Sequence, residues 1–135
     1  MQDKENQTFI DEAKRIYYQV SSTICPAFGG QVVVFNYHGF YHLMFKHGKP
    51  RSLSDRMRRM RLFERVIPIL KTAQTFSKYY SGPNRNNASS FIHSWTFTRF
   101  ENKKRIRIII RQIDNGNKHF FSVMDRRSST SAQAP

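Results

Sequence analysis

Residues 104–111 alternate between basic and apolar side chains with a period of two, which predicts a β-strand with one polar face and one apolar face. The two sets are Arg105, Arg107 and Arg111 on one side and Ile106, Ile108 and Ile110 on the other. A hairpin signal at residues 114–117 and an apolar stretch at 119–124 predict a return strand. Because three arginines are costly to bury against an apolar layer, we expect water or an anionic partner on their side.

The strand at residues 90–100 alternates in the same way, and its register on the arginine strand follows from a turn at Asn102 and Lys103. The pairs that this turn predicts are Phe100–Arg105, Thr98–Arg107, Thr96–Ile109 and Ser94–Arg111. The next turn, at Asn115 and Gly116, predicts Arg111–Phe120 and Ile109–Ser122. The polar face then carries Ser94, Thr96, Thr98, Arg105, Arg107, Arg111, Phe120 and Ser122. The opposite face carries Trp95, Phe97, Ile106, Ile108, Ile110, Phe121 and Val123, and we expect the helices to cover it.

The remaining patterns predict helices in the first half of the chain and strands in the second. Helical spacing extends from Thr8 to Ile24, from Tyr37 to His47, and onward from a cap at Ser54 to a kink or an end at Pro68. Strands are expected at residues 32–35, 74–80, 90–100, 104–111 and 119–124. The predicted fold is α+β, with N-terminal helices packed on one face of a C-terminal four-stranded antiparallel sheet. We expect a single domain over residues 1–125 and a disordered C-terminal tail over 126–135.

The charge balance points to a polyanionic partner. Lysine and arginine number 23 against 9 acidic residues, which gives a formal net charge of +14. Most of this charge lies inside predicted elements, so nucleic acid is the favoured class of partner. A single cysteine excludes an internal disulfide, and no basic start followed by an apolar run is visible. We therefore expect a cytoplasmic protein without a membrane partner.

The polar face has the chemistry of an RNA-binding surface. Arginine forks contact phosphate oxygens in pairs, the hydroxyls of Thr96 and Thr98 add hydrogen bonds, and Phe120 would stack on a base. This combination favours single-stranded or looped RNA over duplex DNA. Further phosphate contacts are expected from Lys49, Arg51, Arg58 and Arg59. The alternative is an ordinary solvated outer face, on which arginine and threonine are common.

Histidine is the natural acid or base for cleaving RNA near neutral pH, and the chain has five. The predicted register turns His93 and His119 toward the core, whereas His42 shares its helix with Lys46 one turn further on. His42 is thus the best candidate, and a plain surface histidine is the alternative. His38 and His42 have the i, i+4 spacing of a metal pair but no acidic third ligand nearby, so we expect no metal and no other cofactor.

In arrangement, the chain resembles the small metal-independent RNases of the barnase–EndoU–colicin–RelE class, and most closely their phage- and toxin-associated branch. The resemblance covers roughly residues 30–125. It consists of a strand at 32–35 followed by a histidine-bearing helix, a basic central strand at 105–111, and a final strand with a hydroxyl at 120–122.

The resemblance implies a toxin- or effector-like endoribonuclease that leaves a 2′,3′-cyclic phosphate and that an acidic antitoxin or immunity protein neutralises. It assigns His42 as acid or base, Lys46 with Arg107 or Arg111 as phosphate clamps, and Ser122 as the group that orients the scissile phosphate. Barnase-like enzymes carry a glutamate base on the sheet, whereas the polar face predicted here has no carboxylate.

Three functions therefore remain open from the sequence. The first is a metal-independent endoribonuclease, the second is a non-catalytic RNA-binding protein that uses the same face, and the third is a basic protein that docks on an acidic protein partner.

Overall fold

The computed structural model describes residues 2–127. The helices are α1 (Gln2–Val20), α2 (Tyr37–Met44) and α3 (Leu53–Thr72), with one turn of 3-10 helix at Pro26–Phe28. The strands are β1 (Ser22–Ile24), β2 (Val32–Val34), β3 (Phe45–Lys46), β4 (Lys49–Pro50), β5 (Lys78–Asn84), β6 (Asn87–Glu101), β7 (Lys104–Ile113) and β8 (Lys118–Arg127).

The principal sheet has six strands in the order β1-β2-β8-β7-β6-β5, so the prediction of a four-stranded antiparallel sheet is wrong, although the α+β class is correct. Strand β2 joins β8 in parallel, with Val33 beside Lys118 and Val34 beside His119. Strands β3 and β4 form a separate two-stranded sheet. The pairing of β2 with β8 joins distant segments, and distant pairing leaves no signal in local periodicity.

Strand β1 was missed because α1 ends four residues earlier than its helical spacing predicts. Ser21 takes the left-handed conformation, with φ 65°, and reverses the chain after Val20. Residues 22–24 then pair antiparallel with β2. The apolar side chain of Ile24, which matched the helical pattern, belongs to an edge strand and is exposed.

Helix α2 is also shorter than predicted. It ends at Met44, and the next two residues form β3, which turns back through His47 and Gly48 at φ 52° and 77°. Helix α3 is capped by Ser52, whose side chain accepts a hydrogen bond from the Asp55 amide, instead of by Ser54.

The predicted register of β6 on β7 is confirmed at all four pairs, including Thr98–Arg107 and Ser94–Arg111. On β8, the Ile109–Ser122 pair is confirmed, but a β-bulge follows and Arg111 pairs with His119. The extra residue of a bulge shifts alternation by one, so the predicted faces of Phe120 and Phe121 are reversed. Phe120 lies in the core with 0% exposure.

The core lies between the helices and the isoleucine face of β7, as predicted. Tyr17 of α1 is fully buried, and its ring packs against Phe63 of α3 and Phe120 of β8. The other buried sheet residues of this layer include Trp95, Phe97, Ile106, Ile108, Ile110 and Val123. Burying each large apolar side chain contributes roughly 1.5–3 kcal/mol.

The strand β8 continues two residues into the segment that we expected to be a disordered tail. Arg126 pairs with Arg105 and Arg127 with Lys104. The rest of that predicted tail, residues 128–135, lies outside the described residues. No helix within residues 2–127 combines the length and the apolar character needed to cross a membrane.

Candidate functional site

The site depends on how closely α2 approaches β8, and Gly39 permits that approach. A Cβ atom at this position would lie 2.7 Å from the Phe120 carbonyl oxygen and would collide with the Phe120 ring and the Tyr17 hydroxyl. Asn36 caps the helix by accepting a hydrogen bond from the His38 amide at 3.2 Å. Helix α2 therefore lies directly along β8, and two of its histidines reach the polar face of the sheet.

A cavity of about 390 Å³, here called the histidine cleft, lies where α2 meets that face. Helix α2, the β5–β6 turn and the ends of β7 and β8 each contribute to its walls. The lining residues are Tyr37, His38, Tyr41, His42, Asn84, Asn86, Ile92, Arg111, Ile113, His119 and Phe121. Among the residues that the structure describes, no carboxylate lines this cleft.

Two imidazoles are stacked on one wall of the histidine cleft. The ring centroids of His38 and His119 are 4.9 Å apart, and the planes are nearly parallel at 28°. His119 is only 4% exposed, and its Nε2 atom has no hydrogen-bond partner in the described part of the chain. Burial, helped by His38, lowers the pKa of His119 to about 4. At neutral pH this ring is therefore uncharged and has an unused polar atom.

The third imidazole, that of His42, is held against Phe121, with ring centroids 3.9 Å apart. Burial first, and then the positive charges of Arg111 and Arg51, lower the pKa of His42 to about 4. His42 is also neutral at pH 7, so it can donate one hydrogen bond and accept another.

Arg111 provides the positive charge of the cleft. Its Cζ atom lies 3.5 Å from the centroid of the Phe121 ring, and its buried Nε has no partner among the described residues. Burial lowers the pKa of Arg111 below its ordinary value, but an arginine keeps its proton at neutral pH. A guanidinium without a carboxylate partner, next to neutral imidazoles, is a site for an anion.

Of the predicted catalytic residues, the structure brings His42 and Arg111 together in the cleft. Lys46 is exposed on β3 because α2 ends before reaching it, so it is not one helical turn from His42. Ser122 and Arg107 lie on the polar face, opposite Ile109 and Thr98, and neither lines the cleft.

The predicted RNA-binding residues differ in how much of each side chain is left for a ligand. Thr98 and Arg105 remain half-buried on the polar face, Thr96 is buried, and Phe120 is in the core. Lys49 is exposed on β4. The three predicted arginines before and within α3 already have partners inside the chain. Arg51 donates to the His42 carbonyl, Arg58 to Asp125 and Arg59 to the Val123 carbonyl.

Sequence reasoning missed His119, His38 and the two asparagines of the β5–β6 turn. His119 was assigned to the core face because the bulge at Phe121, which returns it to the cleft, has no local sequence signal. His38 had a usable signal, since its i, i+4 spacing from His42 placed both on one helix face.

Searches for similar proteins returned no match to a family model, to a curated protein or to a solved structure.

Proposed function

We propose that this chain is a metal-independent endoribonuclease. It would cleave RNA by attack of a ribose 2′-OH on the adjacent phosphate, which leaves a 2′,3′-cyclic phosphate. The observation that supports this function is the His119 side chain, which lines a cleft with two further imidazoles and Arg111 and whose buried Nε2 has no partner among the described residues. The cleft opens on a basic sheet face, and the chain as a whole carries a net charge of +14.

The reaction needs a base, an acid and a cation. A neutral imidazole at His119 would take the 2′-OH proton as the 2′-oxygen forms its bond to phosphorus. His38, which is exposed at the mouth of the cleft, would protonate the 5′-oxygen as the bond between phosphorus and that oxygen breaks. Arg111 would stabilise the charge on the pentavalent phosphate, and the His42 N–H would bond to a non-bridging oxygen.

One observation favours non-catalytic RNA binding as the alternative. The pKa values of His42 and His119 are both lowered to about 4, so neither ring is protonated at neutral pH in the free protein. A general base is most effective when its pKa lies near the operating pH, so a ring whose pKa is about 4 is a weak base toward a ribose 2′-OH. On this alternative, the same cleft would bind a phosphodiester through Arg111 and neutral imidazoles without breaking it.

A cleavage assay in EDTA separates the two functions. The purified chain is incubated with a labelled single-stranded RNA and with the same RNA carrying 2′-deoxyribose at the cleaved position. We expect cleavage of the first, with cyclic phosphate ends, and none of the second. Intact RNA combined with retained binding would favour the binding protein over the enzyme.

The matched variants are His119→Gln and His93→Gln. The first removes the proposed base, whereas His93 lies on the helix side of the sheet and is hydrogen-bonded to the Tyr79 hydroxyl. We expect His119→Gln to lower the cleavage rate by about a hundredfold or more, with RNA binding retained. His93→Gln should cleave as the original chain does, and the loss in His119→Gln prepared in the same way excludes a contaminating nuclease.

A further inference from the structure

A second cavity of about 510 Å³ adjoins the histidine cleft on the polar face. The two share Asn84, Asn86, Ile92 and Arg111 as walls. From there the second cavity extends to Tyr80 and Arg85 of the β5–β6 hairpin, and it is here called the hairpin cavity. Arg111 is thus a wall of both cavities, whereas the three histidines line only the first and Tyr80 and Arg85 line only the second.

The Tyr80 ring is positioned by the strand that carries it. A Cβ atom at Gly82 would lie 2.9 Å from Tyr80 Cζ and would collide with the hydroxyl, so the ring folds over the Gly82 backbone. Tyr80 remains 58% exposed. An aromatic ring held in place, with a large exposed surface, is a platform on which a base can stack.

The two asparagines are presented by an irregular turn. The pairing of β5 with β6 shifts between Pro83 and Asn84, which turns the tip of the hairpin. The Asn84 Oδ1 accepts a hydrogen bond from the Asn86 amide at 3.0 Å, which fixes the orientation of the Asn84 side chain. The Asn84 amide nitrogen therefore points away from this bond, and Asn86 is exposed beside it.

We propose that the hairpin cavity is a nucleobase subsite for single-stranded RNA. It would take a base on Tyr80 and read its edge with the side-chain amides of Asn84 and Asn86. This proposal rests on the proposed function in one respect, because the proposed function places the phosphodiester at Arg111. The two nucleosides on either side of that phosphate would then occupy the two cavities that both include Arg111 as a wall.

Two features support this ligand over others. A carboxamide offers a donor and an acceptor, which is what the hydrogen-bonding edge of a base requires. Access to that edge and to both faces of the base requires an unstacked nucleotide, so the site excludes paired RNA. The histidine cleft contributes an independent sign of a ligand, because His119, which lines it, is 96% buried and its Nε2 has no hydrogen-bond partner among the described residues.

The test uses probes that cannot be cleaved. Fluorescent 2′-O-methyl RNA tetramers, one for each base, are titrated by anisotropy into the full chain, Tyr80→Ala, and the double variant Asn84→Ala with Asn86→Ala. We expect Tyr80→Ala to weaken binding about tenfold for every tetramer. The double variant should lose the preference that the original chain shows for one base.

The control is Tyr79→Ala, since Tyr79 is the residue before Tyr80 on the same strand and faces the other side of the sheet beside Trp95. Its affinity should equal that of the original chain, with folding of all variants checked by thermal melting. Equal affinities of the Tyr80 and Tyr79 variants would overturn the subsite, and so would an original chain that binds no tetramer or binds them all alike. Tyr80-dependent binding without cleavage of unmodified RNA would leave the subsite standing and remove the endoribonuclease.

Discussion

Two sets of arginines in this chain have opposite surroundings. Six arginines belong to α3 or the segment before it. Arg61 is exposed, and the other five, here called the helix-side arginines, are Arg51, Arg56, Arg58, Arg59 and Arg65. The strand arginines of β7 are Arg105, Arg107 and Arg111. By sequence alone, both sets are dense basic stretches, and phosphate contacts were predicted for members of both. The structure separates them by what each guanidinium already contacts.

The helix-side arginines are bound within the chain. Arg56 is 4% exposed and donates to the Met44 carbonyl at 3.0 Å. Asp55 alone pairs with three of the others, and Glu101 binds Arg65 through two hydrogen bonds of 2.8 and 2.9 Å. These contacts join α3 to the loop before it and to the sheet, so their first role is to stabilise the fold.

The strand arginines have no such partners. Among residues 2–127, none of the ion pairs includes a strand arginine. The buried Nε atoms of Arg105 and Arg111 have no hydrogen-bond partner; the Nε of Arg59 has none either, but it lies 3.6 Å from Asp55 Oδ1. The comparison shows that the number of arginines does not identify the anion-binding face. What identifies it is which arginines are not paired with one of the few carboxylates. Positive charge left without an internal partner is available to a ligand.

The largest effect is expected at Arg111. Arg111→Gln removes the cation that would stabilise the pentavalent phosphate, so the cleavage rate should fall by about a hundredfold or more. The free energy of unfolding should change by no more than about 2 kcal/mol, because the cation–π contact with Phe121 is lost but no ion pair among the described residues is. Cleavage kinetics and urea unfolding measure both quantities. Full activity in this variant would contradict the assignment of the site.

The second expected effect is a loss of stability at acid pH, caused by protonation of His119 in the histidine cleft. Burial holds the pKa of folded His119 at about 4, below its ordinary value of 6.5, so the unfolded chain takes up the proton first as pH falls. The stabilisation is therefore complete above pH 6.5 and is lost as pH falls toward 4. The loss is on the order of 3 kcal/mol in urea unfolding.

In His119→Gln this part of the pH dependence should be absent, whereas His93→Gln should keep it. Identical pH profiles of unfolding in the two variants would show that His119 is not buried as a neutral ring.

The third prediction concerns Arg56, where we expect the opposite of Arg111: a loss of stability with little change in the cleavage rate. Arg56→Met keeps much of the side-chain volume but removes the charged donor to the Met44 carbonyl, which keeps only its hydrogen bond from the Arg51 backbone amide. The free energy of unfolding should fall by about 1–3 kcal/mol. Cleavage by the folded fraction should stay within tenfold of the original rate, since Arg56 does not line the cleft. Loss of cleavage with unchanged stability would show that Arg56 acts in cleavage, as proposed for the strand arginines, and would contradict its role in stabilising the fold.

The smallest effect compares two exposed or half-buried arginines outside the cleft. Arg107→Gln should reduce the slope of log affinity against log salt concentration by about 1, because one phosphate contact is lost. Arg65→Gln should leave that slope unchanged and cost roughly 0–1 kcal/mol of stability, since its pair with Glu101 is near the surface. Filter binding of RNA at several salt concentrations measures the slopes, and equal slopes in both variants would count against a role for Arg107.

The polar face was predictable at the strands where pattern and turn agree. Alternation along β6 and β7, with a turn at Asn102 and Lys103, gave all four predicted pairs correctly. Prediction failed at Phe120, because nothing in the sequence separates a bulged strand from a regular one. The prediction of the site failed at His119 for the same reason, since the bulge brings His119 to the face that carries Arg111.

The chain's local patterns were sufficient for the α+β class, the apolar face of isoleucines and the basic face opposite. Periodicity and turn chemistry act over a few residues, so they are visible in the sequence. The parallel pairing of β2 with β8, the approach of α2 across Gly39, and the partners of the helix-side arginines depend on contacts between distant segments. Those contacts decide which arginines remain free for a ligand, and for that reason the candidate site emerged only from the folded structure.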